Sequence, residues 1–112
     1  MNVVLIVRGN PMASHRVCEG MRIALGLASS GHNTTLILAG LAPLLLTPAV
    51  HALVEGELAQ KMIVTLKEFI PCVYIASESR VRLSDHDNAI RQISPDELAQ
   101  KVTTSDYCMV FE

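Results

Sequence analysis

The chain has little of what nucleic-acid binding requires. It holds no tryptophan, two tyrosines and two phenylalanines among 112 residues, so it offers few aromatic rings on which bases could stack. Its 9 lysines and arginines against 11 aspartates and glutamates give a formal net charge of −2 at pH 7, not the clustered basic face that phosphate binding needs. We therefore expect no nucleic-acid partner.

Cysteine is scarce, and its spacing is not that of a metal site or a disulfide framework. Cys18, Cys72 and Cys108 are odd in number and far apart, with no CxxC pair and no Cys/His ligand spacing. The pattern predicts reduced thiols in a cytoplasmic protein. Gly9 is not part of a GxGxxG fingerprint, so we expect neither a metal nor a dinucleotide cofactor.

Acidic and basic residues are missing from residues 36–54, a stretch of nineteen that approaches the length of a membrane span. Pro43 and Pro48 interrupt it, however, and prolines this close together break a continuous helix. The N-terminus also lacks the basic start of a signal peptide and is typical of a first strand. We expect no membrane association.

Residues 41–54 begin with Leu41, end with Val54 and are apolar on every side. A small domain has too little interior to bury all of them, and monomers seldom expose large contiguous apolar patches. The segment therefore predicts a subunit interface and a homo-oligomer.

Short apolar runs alternate with amphipathic stretches along the whole chain. This alternation predicts one domain, residues 1–112, folded as a three-layer α/β/α sandwich with a mostly parallel five-stranded sheet. A flavodoxin-like topology is the alternative. Strands are predicted at 2–7, 34–38, 72–76, 89–93 and 107–111, and helices at 15–29, 54–69 and 95–103, with a short helix and a loop over 77–88.

The third predicted strand ends at Ala76 and runs into a polar turn. Ligands and reactive groups of parallel sheets usually lie at the carboxyl ends of the strands, yet here the chain presents a methyl group. We expect a crevice at this edge of the sheet, built from Arg8, Ser14, His15, Arg16, Ala76, Ser77 and Glu78.

Three parts of the sequence resemble the DsrE/DsrF-like family, which includes sulfur-relay subunits of the TusBCD type. The opening strand–loop–helix, the strand that ends near Ala76 and the closing helix–strand pair carry the resemblance, at residues 4–9 with 14–20, 73–79, and 93–98 with 106–111. The resemblance implies a compact α/β subunit of a dimer, trimer or hexamer, with sulfur-relay proteins as partners.

Active members of that family carry sulfur as a persulfide on one cysteine, and Ala76 stands at that position here. The Arg-Gly that follows the turn in the family is also absent, since this chain has Leu83 after Arg82. The resemblance therefore implies a subunit associated with intracellular sulfur transfer that acts as a partner or binding subunit. Whether the chain is an enzyme stays open.

Two alternatives remain. The chain could be a persulfide-carrying sulfurtransferase that uses Cys18, near a helix N-terminus and Arg16 that favour the thiolate, or Cys72, although Cys72 begins its strand. Cys108 is expected in the core. The chain could instead be a small-molecule or anion-binding module, with Ser14 and its neighbours at a helix start as an anion site.

Overall fold

The computed structural model describes residues 1–10, 16–43, 56–70, 73–76 and 90–111, so the short helix predicted over 77–88 lies outside the described residues. Strands form where β-branched and other apolar residues run together, and helices form where apolar residues recur every three or four positions. In chain order the elements are β1 (Asn2–Val7), α1 (Arg16–Ser29), β2 (Asn33–Leu38), α2 (Gly56–Phe69), β3 (Val73–Ala76), β4 (Ile90–Ile93), α3 (Pro95–Thr104) and β5 (Tyr107–Phe111).

The five strands form one sheet in the order β4-β3-β2-β1-β5, and every neighbouring pair is parallel. Val7 pairs with Leu38 on one side and with Phe111 on the other, while Ala76 pairs with Ile93. The carboxyl ends of all five strands therefore lie along one edge. The flavodoxin order is 2-1-3-4-5, so that alternative topology is wrong.

Helices cover both faces of this sheet, which confirms the three-layer sandwich. On one face, α1 and α2 pack against each other and against the sheet around the fully buried Leu5, Leu36 and Leu66. On the other face, Leu98 and Val102 of α3 pack against Val4, Ile37 and Ile93. None of the helices described is long and apolar enough to cross a bilayer.

Helix α1 buries the side predicted from its sequence, with Val17, Met21 and Ala24 in the core. It ends at Ser29, two residues before Gly31, whose φ of 91° lies in the left-handed region that favours glycine. The N–H of His32 donates to the carbonyl of Leu27 at 3.2 Å, which closes the last turn. The predicted stop at Gly31 is thus confirmed.

Helix α3 begins as predicted, with Ser94 as its N-cap and Pro95 in its first turn. The Glu97 N–H donates to Ser94 Oγ at 3.2 Å, and the Ser94 hydroxyl donates to Glu97 Oε1 at 3.2 Å. Farther along, Lys101 Nζ lies 4.4 Å from the centroid of the Tyr74 ring, a cation–π contact between α3 and β3.

Strand β5 differs from the expectation for an apolar strand, because Cys108 is exposed and not in the core. Neighbouring strands lie ~4.8 Å apart, so a sheet of five strands is about 19 Å wide. A helix is only about 10 Å across. Two helices suffice for one face, but α3 alone cannot reach the β5 edge of the other. Val110, on the same side of β5 as Cys108, is accordingly 55% exposed.

Of the expected interface at residues 41–54, only 41–43 lie within the described part of the chain. Leu41 is 39% exposed, whereas Ala42 and Pro43 are fully buried in the chain itself. The remainder of the segment, including Val54, lies outside the described residues. The predicted subunit interface therefore stays a prediction.

The two glycines of α1 form a matched pair that tests how closely this helix approaches the sheet. A Cβ on Gly20 would lie 2.9 Å from Cγ2 of the fully buried Val7, whereas a Cβ on Gly26 would meet nothing within 4 Å. We expect Gly26→Ala to stabilise the fold by about 0.5–1 kcal/mol through helix propensity. Gly20→Ala gains the same stability from helix propensity, but its added methyl group overpacks the core at a cost of about 1–3 kcal/mol.

Urea unfolding of both variants measures this difference. Gly20→Ala should be less stable than Gly26→Ala by about 1–3 kcal/mol. Equal stability of the two variants would show that α1 does not contact β1 as closely as described.

Candidate functional site

A cavity of about 270 Å³ opens at the carboxyl edge of the sheet, beneath the first turn of α3. Strands β1, β3 and β4, the residue that follows β2, and helix α3 contribute to its walls. Its described lining residues are Ile6, Arg8, Ala39, Ala76, Ile93, Pro95 and Leu98.

Strand alternation explains why these side chains share one side of the sheet. Side chains two positions apart on a strand point to the same face, and Val4, Ile37 and Ile93 belong to the core beneath α3. Arg8 therefore continues the side of Val4, and Ala39 continues that of Ile37. Ala76 is on this side too, since it pairs directly with Ile93.

Backbone hydrogen bonds hold Arg8 and Ala39 at the edge although both follow the end of a strand. The Arg8 N–H donates to the Phe111 carbonyl at 2.6 Å, and the Ala39 N–H donates to the Val7 carbonyl at 2.9 Å. The next residues, Gly9 and Gly40, have φ values of 111° and 61°. These conformations favour glycine and let the chain turn immediately beyond the cavity wall after both β1 and β2.

The side chains of the described cavity wall are suited to binding and not to acid–base or nucleophilic catalysis. Arg8 is the one charged residue among the described lining residues, and the others are aliphatic. Ala76 is only 4% exposed, so its methyl group forms part of the floor of the cavity. Within this described lining there is no thiol, hydroxyl or carboxyl group that could act as nucleophile or general acid. In the part of the chain described, no cluster of three His, Cys, Asp or Glu could hold a metal.

The expected crevice residues are brought together only in part. Arg8 and Ala76 line the same cavity, as the carboxyl-end rule predicts. Arg16 is exposed at the start of α1 and does not line it. Ser14, His15, Ser77 and Glu78 lie outside the described residues.

Cys18 does not have the surroundings expected of a carrier thiol. It is 2% exposed and packs in the core between α1, α2 and the sheet. The cavity lies on the opposite face, beneath α3. The expectation that Cys18 is a reactive thiol near the helix N-terminus is therefore wrong, because α1 packs on the opposite face of the sheet and the sheet separates Cys18 from the cavity. Cys72 lies outside the described residues.

Five cavity residues were not expected from the sequence: Ile6, Ala39, Ile93, Pro95 and Leu98. All five are apolar, so a search for reactive side chains passes over them. The available signal was positional, because Ile93 ends its predicted strand in the same way as Ala76 and Ala39 directly follows the end of one. Applying the carboxyl-end rule to every strand would have found both.

Thiol labelling of the native protein tests these assignments. With a maleimide and peptide mapping, we expect Cys108 to react in the folded state, because it is exposed. Cys18 should react only after unfolding, because it is buried in the core. Rapid labelling of native Cys18 would contradict its placement beneath α1.

No protein-family model matches the chain, and no curated protein sequence matches it either. Among solved structures, the crystal structure of the ychN protein from E. coli is similar, with a TM-score of 0.75 and 21% sequence identity. The match covers 98% of this chain and 98% of that chain. At this level of identity the likeness shows the fold alone, an α/β fold that the two chains share over nearly their whole length.

Proposed function

We propose that the chain is a DsrE-like cytoplasmic subunit associated with sulfur transfer, and that it binds a partner or ligand without carrying sulfur itself. One observation supports this most strongly. The methyl group of Ala76 lines the cavity at the position where the resemblance places the carrier cysteine of active members. The likeness in fold to the ychN protein supports the family assignment.

A sulfur carrier needs a thiolate that solvent and donor can reach, because the thiolate is the nucleophile. A methyl group cannot form a persulfide, and the described wall of the cavity offers no other sulfur. Cys18 is buried on the other face of the sheet. Cys108 is exposed, but it lies on β5 and does not line the cavity.

The alternative carrier hypothesis now depends on Cys72, since Cys18 is inaccessible. The alternative of a small-molecule or anion-binding module is favoured by the cavity itself, which combines aliphatic walls with one guanidinium group. The hypothesis of a binding module and that of a non-carrier DsrE-like subunit can both hold, because a subunit without the carrier cysteine can still bind a small molecule at the same edge of the sheet.

Incubation with glutathione persulfide followed by intact mass spectrometry tests the proposal. In a carrier, a protein thiolate takes the outer sulfur of the donor, and glutathione leaves as its thiol. We expect any gain of one sulfur mass in the wild type to be lost in Cys108→Ser, because that exposed thiol reacts without a dedicated site.

Two further variants make the outcome specific. Cys18→Ser serves as a control and should behave as the wild type. A sulfur gain that persists in Cys108→Ser but disappears when Cys72→Ser is added to that variant would identify Cys72 as a carrier and contradict the proposal.

We also propose that the chain assembles as a homo-oligomer through residues 41–54. Sedimentation should then give a multiple of the 12.2 kDa chain mass. Leu41→Lys, which places a charge at the exposed start of the segment, should shift the distribution toward the single chain. Val64→Lys is the matched control, because Val64 is exposed and apolar on α2, outside the segment. A wild type that sediments as one 12.2 kDa chain would contradict the assembly.

A further inference from the structure

We infer that the cavity at the carboxyl edge binds a small anion with an aliphatic body, of which a short-chain carboxylate is the simplest form. The inference rests on the proposed function in one respect, since it names the class of ligand that a non-carrier binding subunit would take. The inference is supported by the volume of the cavity, its aliphatic lining and the charge of Arg8.

The volume limits the size of the ligand. Pockets for drug-sized molecules occupy roughly 300–1,000 Å³, and this cavity of about 270 Å³ falls just below that range. At ~30 Å³ for each water-sized group, it accommodates about nine non-hydrogen atoms. Hexanoate, with six carbons and two oxygens, is of this size.

The lining limits the polarity of the ligand. The lining presents aliphatic carbon from three strands, from the residue that follows a fourth and from one helix, at Ile6, Ala76, Ile93, Ala39 and Leu98. Water in contact with such walls gains little hydrogen bonding. An aliphatic chain that displaces this water gains the free energy of burying its apolar surface. The inner part of the cavity therefore favours a hydrocarbon body.

The charge at the cavity determines which end group is preferred. Arg8 is the one charged residue in the described lining and is exposed. Arg8 already has an interaction within the chain, but a guanidinium group has five N–H donors and can also pair with a carboxylate. The acids of the first turn of α3, Asp96 and Glu97, are exposed and are not among the described lining residues. Because the negative charges of these two acids offset the partial positive charge of the helix N-terminus, we assign the attraction of the carboxylate to Arg8.

Isothermal titration calorimetry with three ligands of equal chain length tests the inference: hexanoate, hexan-1-ol and hexylamine. Hexanoate should bind the wild type at least about tenfold more tightly than the other two, because a charge-assisted pair adds to the same apolar contact. Raising the salt concentration should weaken the binding of hexanoate more than that of the alcohol, because Arg8 is exposed.

Arg8→Met keeps a long apolar stem and removes the charge, so hexanoate should lose its advantage and bind within about twofold of hexan-1-ol. The matched control is Arg22→Met on α1, an exposed arginine on the other side of the molecule that should leave all three affinities unchanged. Ala76→Leu fills the floor of the cavity and should weaken every ligand. Circular dichroism establishes that each variant is folded.

Several results would overturn the inference. These are equal affinity for hexanoate and hexan-1-ol, tighter binding of hexylamine, a hexanoate preference that survives Arg8→Met, and absence of binding at millimolar ligand. The sulfur-transfer assay separates this failure from that of the proposed function. A chain that retains no sulfur and binds no hexanoate contradicts the inference alone, whereas a chain that carries sulfur on Cys72 and binds hexanoate contradicts only the proposed function.

Discussion

The need to cover both faces of a parallel sheet governs the rest of this structure. Strand β1 is apolar on both sides, with Leu5 and Val7 buried under α1 and Val4 buried under α3. Parallel sheets occur almost only with both faces covered. Among the described elements, two helices cover one face and α3 alone covers the other, and α3 is too narrow for the full width of the sheet. This unequal cover leaves the β5 edge of the α3 face exposed, and the cavity lies beneath α3 at the carboxyl ends of the strands.

The two described thiols lie apart from the cavity. Cys18 lies on the fully covered face, and Cys108 lies on the β5 edge that α3 does not reach. The cavity is at the carboxyl edge beneath α3, where Ala76 and Arg8 meet. A methyl group and a guanidinium group in that place suit the binding of a small apolar anion better than the transfer of sulfur.

Much of the fold follows from local sequence patterns, whereas exposure depends on the neighbouring elements. The run of β-branched residues in β1 and the Ser94 cap of α3 predict their elements to within a residue. The pattern of β5 gives a strand but not its place at the sheet edge, so the burial of Cys108 was predicted wrongly. The helix-start argument for Cys18 failed in a similar way, because it did not consider which side of α1 meets the sheet.

The central claim is that the methyl group of Ala76 belongs to a cavity that takes a small anion, apart from the core beneath α1. The most direct measurement is a titration of hexanoate into protein labelled at its alanine methyl groups, followed by NMR. The account predicts saturable shifts of the Ala76 and Ala39 methyl signals and none for Ala24, which is buried on the other face. An unmoved Ala76 signal at saturating hexanoate, or equal shifts at all three methyl groups, would contradict it.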